Sequence, residues 1–264
     1  MLFAALVMLA ISPMIWALDF DKYPALRDFT TRMIENHGFA EQQLRGIFRC
    51  ATIRPEIIEA MERPRELLPW HQYRKIFVTE DSARRGVQFW REHEATIARA
   101  RERYGVAPEI VVAIIGVESR YGRSTGTWPV LDALTTLTLE YPSRAVFFRK
   151  ELEEFLLLTR EAELDPCGVK GSYAGALGLP QFMPSNYRRL AVDFDDDGRR
   201  NLLDNPADAI GSVAHYLHRH GWEADGEAKF LEFVRKQLLE TGLKSQFDAL
   251  KPLYAVWTTL AVSA

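Results

Sequence analysis

Apolar residues recur every three or four positions along most of this 264-residue chain, the spacing of amphipathic helices. Over 83–104, Val87, Trp90, Ile97 and Tyr104 fall on one side of an otherwise charged stretch and predict one helix. Over 144–160, Phe148, Leu152, Phe155, Leu156 and Thr159 form a second such face. Pro206 suits the first turn of a third helix, which buries Ile210, Val213, Ala214 and Leu217 and stops at Gly221. A fourth runs over 228–240 through Phe230, Leu231, Val234 and Leu238. Pro108 opens a segment of another kind, because Ile110 to Val117 is apolar on every side and so is predicted to be buried on every side. No stretch alternates convincingly with period two, and no internal repeat is found, so a parallel or sandwich β-fold is disfavoured. The expected fold class is mainly α.

Two glycine-rich stretches break the pattern: 119–129 (SRYGRSTGTWP) and 168–186 (GVKGSYAGALGLPQFMPSN). They predict loops or short turns on a helical frame, where sites are usually built. Residues 1–18 carry no charge, and no Lys or Arg precedes Lys22. This segment reads as a secretory apolar region with Ile15-Trp16-Ala17 as its cleavage site, as a spanning helix interrupted by Ser12-Pro13, or as a buried N-terminal helix. Export is the favoured reading, to the periplasm or beyond. No Cys follows the apolar run closely, so no lipid anchor is evident.

Composition removes whole classes of function. An apolar fraction of 47%, a charged fraction of 26%, 16 Gly and 13 Pro exclude a disordered or collagen-like chain. With 33 Lys and Arg against 36 Asp and Glu, the net charge of -3 gives no bulk attraction for nucleic acid, and no nucleic-acid partner is expected. Two cysteines are too few for a disulfide scaffold, and no C-x-x-C or Cys/His cluster suggests zinc. Cys50 and Cys167 are either partners or two free thiols, and their spacing leaves both open.

Glu118 follows the apolar segment directly. Desolvation there, and the negative end of the helix dipole, would both disfavour the carboxylate and raise its pKa. A protonated acid near neutral pH is what a general acid in glycoside cleavage requires. The competing reading is a Glu turned outward, or paired with Arg120 or Arg123. In the second glycine-rich stretch, Gly175 and Gly178 allow close backbone approach and Gln181 can both donate and accept hydrogen bonds, which suits an N-acetyl sugar chain. Each also reads as an ordinary turn or solvated residue. Asp132, in a Pro-Val-Leu-Asp-Ala-Leu helix start, reads as structural.

Asp193-Phe-Asp195-Asp-Asp197-Gly198-Arg199-Arg-Asn201-Leu-Leu-Asp204 has the spacing of an EF-hand loop. Oxygens fall at positions 1, 3, 5 and 9, Gly at position 6, and Arg199 at position 7 would give its backbone carbonyl. Position 12 is the shorter Asp204, and Arg200 stands at position 8, where an apolar residue normally packs. The loop reads as a structural Ca2+ site or as an acidic turn without metal.

Several motifs in order resemble one family. Glu118-Ser-Arg-Tyr-Gly122, Gly171-Ser-Tyr-Ala-Gly-Ala-Leu-Gly178 and Gln181-Phe-Met-Pro-Ser-Asn-Tyr187 are similar to the lytic murein transglycosylase B family of bacterial cell-wall enzymes. The likeness extends from Tyr73-Arg-Lys-Ile-Phe-Val-Thr79 and Gly86-Val-Gln-Phe-Trp90 through Pro129 to Leu137, Ala191 to Phe194 and Asp208 to Ala214, ending at His220-Gly-Trp222, roughly residues 40–225.

That resemblance implies a lysozyme-like core at about 105–225 within one larger helical domain over 19–264. It implies Glu118 as a single acid and base, cleaving between N-acetylmuramic acid and N-acetylglucosamine with formation of a 1,6-anhydro product. It makes Ser172, Gln181 and Phe182 glycan contacts, with Tyr73, Tyr187, Arg144 and Tyr216 further along the cleft or packing as core and rim residues. It also supplies Asp208 as the closing acid of a stretched calcium loop, with Asp193, Asp195, Asp197 and Arg199. Expected partners are peptidoglycan strands, with other cell-wall enzymes open as partners and a monomer as the expected state. After Gly242 no Arg-Tyr-Asn-x-Ser-like motif occurs, which leaves completeness of the cleft in the C-terminal part open. A silent peptidoglycan-binding scaffold, a muramidase-type hydrolase and a calcium-regulated protein are the competing functions.

Overall fold

The computed structural model describes residue 18 and residues 22–63 and 70–222. The apolar start before Leu18, the predicted 228–240 helix and the C-terminal segment lie outside the described residues. Eleven α-helices make up most of what is described: α1 (Pro24–His37), α2 (Glu41–Arg49), α3 (Pro55–Glu62), α4 (Trp70–Phe77), α5 (Glu80–Glu92), α6 (Glu94–Tyr104), α7 (Pro108–Ser119), α8 (Val130–Glu140), α9 (Ala145–Glu161), α10 (Pro184–Leu190) and α11 (Pro206–Arg219). β1 (Trp128–Pro129) and β2 (Lys170–Gly171) form one short antiparallel pair with Trp128 opposite Gly171. The mainly α expectation holds.

The local signals explain most boundaries. Proline opens α1, α3, α7, α10 and α11, where its missing N–H costs nothing. Thr79 caps α5 by accepting from the Ser82 amide at 3.1 Å, and Asn205 caps α11 by accepting from Ala207 and Asp208. Gly38 and Gly105 end α1 and α6 in the left-handed conformation. The single helix expected over 83–104 is two, however. His93 leaves helical geometry at φ -121° and ψ 21°, its amide shared between the Phe89 and Trp90 carbonyls. Val87 and Trp90 therefore belong to α5, and Ile97 and Tyr104 to α6.

The helices enclose two apolar cores. One gathers Leu26, Phe29 and Met33 of α1, Phe48 of α2, Leu131 and Leu134 of α8, and Phe148, Leu152 and Phe155 of α9. The other gathers Phe89, Ile97, the α7 residues Ile110, Val111, Val112 and Ile115, and the α11 residues Ile210, Val213 and Leu217. Tyr216 packs against both. α7, apolar from Ile110 to Val117, is buried over most of its surface because α5, α6 and α11 all pack on it. The 120–129 connection thus carries the chain out of the second core and into the first.

Two polar devices and one covalent bond lock the first core. Asp132, 2% exposed, accepts from the Thr52 amide at 2.9 Å and from Arg54 Nε at 2.8 Å, so it holds the entry to α3 against α8. This bears out its structural reading. Arg188 of α10 reaches back to Glu154 and, at 2.6 Å, to Glu161 of α9, and that guanidinium holds the Glu161 carboxyl below its usual range. Cys50 and Cys167 are joined as a disulfide across 117 residues of sequence, with Cα atoms 6.1 Å apart. The reading of two free thiols is therefore set aside: the turn at 165–168 comes to rest beside the end of α2.

Candidate active site

Glu118 occupies the last turn of α7, and how that turn ends decides where it points. Ser119 is fully buried, and its Oγ donates to the Ile115 carbonyl at 3.2 Å and accepts from the Gly122 amide at 3.0 Å. Three successive residues then take left-handed backbone, Arg120 at φ 51°, Tyr121 at φ 60° and Gly122 at φ 82°. For the first two that conformation is sterically disfavoured. Tyr121 is held in it by its own ring, which folds back between α5 and α7. A Cβ at Gly116 or Gly86 would stand 2.5 or 2.7 Å from the Tyr121 hydroxyl, so a side chain at either place would displace the ring. Burial pushes the Tyr121 phenol up to about 12, and its hydroxyl has no hydrogen-bond partner among the described residues.

Because Ser119 takes the inward direction, Glu118 is exposed. This corrects the expectation that the buried helix itself desolvates the carboxyl.

Gln181 lies in a tight hairpin. The Leu177 and Phe182 amides exchange hydrogen bonds with each other's carbonyls at 2.8 and 3.1 Å, and Gln181 sits at φ 51°. Leu177 and Phe182 enter the first core while Leu179 enters the second, so the hairpin straddles the seam between them. Gln181 Nε2 donates to the Gly178 carbonyl at 2.7 Å and to the Thr125 carbonyl at 3.0 Å. The second bond fastens the hairpin to the loop that follows Glu118. A further close crossing reinforces it, since a Cβ at Gly126 would lie 1.9 Å from the Gly171 carbonyl oxygen. The two glycine-rich stretches are thus one stitched loop cluster, and both bonds of the Gln181 side chain to it run through Nε2.

The other expected glycan contacts divide. Ser172 anchors the adjoining turn, its Oγ accepting from the Ala176 and Ala174 amides at 3.0 and 3.2 Å, which leaves its hydroxyl proton to donate. The Phe182 ring packs 5.3 Å from that of Tyr216, which stacks at 4.1 Å on His220. Burial raises the Tyr216 phenol. Tyr187 is corrected to a core residue: it is 2% exposed, and its hydroxyl donates to the Arg200 carbonyl and accepts from the Leu202 amide. Arg144 is exposed where α9 begins, its guanidinium over the rings of Phe147 and Phe148 at 4.5 and 5.1 Å. Tyr73 is carried by α4, and its side chain lies outside the described residues.

The acidic loop has a cation's donor set. Carboxylate oxygens of Asp193, Asp195 and Asp197 all lie within 4.8 Å of one another. That separation is compatible with oxygens each about 2.4 Å from one Ca2+. Backbone amides shape the cluster: Asp197 and Gly198 donate to Asp193, and Arg199 donates to Asp197. Asp208 lies on the inner side of the loop. It is fully buried beneath the loop, accepting from the Phe194 amide at 2.7 Å and the Asn201 amide at 2.6 Å. It clasps the loop from below, within the electrostatic reach of Asp193 and Asp195. Burial raises its pKa, and those two amides pull the other way. Arg200, unusual at its loop position, points outward and donates to the Arg188 carbonyl near the end of α10.

Glu151 of α9 is marked by no sequence pattern, and Ser185 enters only as a member of the Gln181–Tyr187 motif. Both are buried and hydrogen-bonded to each other.

Residues 21–263 match the family model described as a transglycosylase SLT domain. Over 240 residues the chain is 42% identical to membrane-bound lytic murein transglycosylase B of Escherichia coli (strain K12), covering 87% of this chain and 66% of that protein. The chain thus spans just under two thirds of the curated relative's length. Among solved structures, the Escherichia coli lytic transglycosylase Slt35 in complex with calcium aligns with a TM-score of 0.74 at 47% identity, covering 79% of this chain and 67% of that one. The soluble lytic transglycosylase SltB1 from Pseudomonas aeruginosa aligns with a TM-score of 0.74 at 52% identity, covering 77% and 69%.

Proposed function

This chain belongs to the transglycosylase SLT domain family, and from that premise we propose that it is an exported lytic transglycosylase acting on peptidoglycan. The observation that carries the reading is the placement of Glu118: an exposed carboxyl ending a buried helix, followed at once by the loop to which Gln181 is hydrogen-bonded. One carboxyl serves twice. Glu118 protonates the glycosidic oxygen between N-acetylmuramic acid and N-acetylglucosamine, and the bond from that oxygen to the muramoyl C1 breaks. The C6 hydroxyl of the same muramoyl unit then closes on C1 and returns its proton to Glu118, giving a 1,6-anhydro end with no water consumed. This departs from the two-carboxylate scheme of most glycosidases. The desolvation that keeps the acid protonated would come from the bound glycan strand closing over Glu118, since the helix leaves it open. Gln181, Ser172 and Phe182 offer that strand an amide oxygen, a hydroxyl donor and a ring edge.

The experiment is product analysis. Purified protein incubated with murein sacculi should release fragments that are lighter by one water than hydrolytic fragments. Reducing muramic acid ends as the main product would instead make it a muramidase.

We further propose that Asp193, Asp195 and Asp197, with the Arg199 carbonyl, hold a structural Ca2+, with Asp208 supporting the loop from beneath. The ion would neutralise three clustered carboxylates. Leu202, at the far end of this loop, accepts the Leu179 amide of the Gln181 hairpin at 2.8 Å, so stiffening one stiffens the other. Calcium at about 100 times its dissociation constant should stabilise the fold by about 2.7 kcal/mol. The unfolding midpoint should rise on adding Ca2+ and fall with chelator, and Asp195→Ala should abolish the difference. An unchanged midpoint in both conditions would leave only an acidic turn. No helix among the described residues is long and apolar enough to cross a membrane.

A further inference from the structure

The α9 face that fills the first core carries one acid among its apolar residues. Glu151 is 3% exposed, between Phe148 and Phe155, both buried. Among the described residues no Lys or Arg forms an ion pair with it. Burying a carboxylate is costly unless its oxygens are satisfied. Here they are satisfied by a single residue of another helix: Oε2 accepts the Ser185 amide at 2.9 Å, and Oε1 accepts the Ser185 hydroxyl at 2.7 Å.

Ser185 stands in the first turn of α10, whose amides have no partner within the helix. The residue preceding that helix, Met183, gives no side-chain cap. Glu151 does from α9 what a local Ser or Asp cap would do, but with a difference in consequence. A local cap would stabilise α10 wherever it sat; Glu151 fixes where α10 begins relative to the first core. Four residues before Ser185 is Gln181, and three before it is Phe182. Their hairpin closes on the Leu177–Phe182 pair, and the segment from there to Ser185 is too short to absorb a displacement.

We propose that the Glu151–Ser185 clasp is a positioning device for glycan binding, setting the hairpin that presents Gln181 and Phe182. It rests on the reading of those two residues as glycan contacts. Glu151 touches no substrate itself.

The test compares the full chain with Glu151→Ala, Glu151→Gln and Ser185→Ala. Two quantities are measured for each: affinity for an N-acetylglucosamine hexamer, and hydrogen exchange at the Leu177 and Phe182 amides. Glu151→Ala should weaken binding about tenfold or more, the scale of a small misplacement of contacts, and should speed exchange at both amides. Glutamine can accept the Ser185 amide and donate to the Ser185 hydroxyl, so Glu151→Gln should restore binding to within about threefold of the parent. Ser185→Ala removes one arm of the clasp and should cost about threefold.

Loss of thermal stability in Glu151→Ala with affinity and exchange unchanged would reduce Glu151 to a packing residue and overturn the proposal. If Glu151→Ala fails to fold, Ser185→Ala decides: parental affinity and exchange in that variant overturn it equally. A parent chain that does not bind the hexamer sinks the glycan reading instead, and the exchange rates then still report whether the clasp holds the hairpin.

Discussion

Glu118→Gln should lower the release of anhydro-muropeptides by about a thousandfold or more, because one general acid and base of this kind contributes roughly 10²–10⁴-fold and here it would serve both steps. The substitution keeps shape and hydrogen-bonding reach but has no proton to give and no charge with which to take one back. Its cost to folding should be small. Glu118 is exposed at the end of α7, and exposed substitutions usually shift stability by less than about 0.5 kcal/mol. The turn that holds it is maintained by its neighbours, Ser119 through the Ile115 carbonyl and the Gly122 amide, and Tyr121 through its ring. Glycan affinity should therefore persist in a variant that no longer turns over. A Glu118→Gln chain that clears murein within about tenfold of the parent would transfer the chemistry to another group and favour a binding or scaffold role for this residue.

How much of this could be read in the chain depends on the range of the physics involved. The helix carrying Glu118 was legible because an all-apolar run admits only burial, and Pro108 marks its start. Where Glu118 would point was not legible. That is set by two non-glycine residues in left-handed backbone, Arg120 and Tyr121, and nothing in their composition announces the conformation. The break at His93 was hidden for a related reason: Glu92-His93-Glu94 contains no Gly or Pro, so the apolar spacing ran straight through it. Tyr187 had the residue type of a sugar platform, and only the packed loop revealed that backbone groups of Arg200 and Leu202 already occupy its hydroxyl.

The acidic loop was legible in spacing, since Asp193, Asp195 and Asp197 do converge, but the two amide bonds by which buried Asp208 clasps the loop were not. Glu151 is the instructive omission. It lies three residues after Phe148 and four before Phe155, on a face predicted to be buried, and an acid there requires donors from somewhere else in the fold. The signal existed; its partner, 34 positions on, did not show in any local pattern.

Removing the Cys50–Cys167 disulfide should cost the fold about 2–5 kcal/mol, a drop of about 5–15 °C in unfolding midpoint for a chain of this size. The bond closes a loop of 117 residues, and the chain-entropy account gives its greatest stabilisation to long loops. Its placement adds a local consequence. Cys167 lies in the turn that leads directly to Lys170-Gly171 of β2 and then to Ser172, and Cys50 lies just before Thr52 and Arg54, which Asp132 holds. Two anchors therefore fix the same strip of chain against the first core, one covalent and one ionic. Cys50→Ser with Cys167→Ser should destabilise as much as full reduction of the parent does, verified by counting thiols. Combining the double substitution with Asp132→Asn should cost more than the sum of the two changes made separately, because each anchor covers for loss of the other. Equal midpoints for the oxidised and fully reduced parent would mean that the native contacts alone hold the strip. A shift of the expected size would mean that the folded site gains stability in an oxidising compartment.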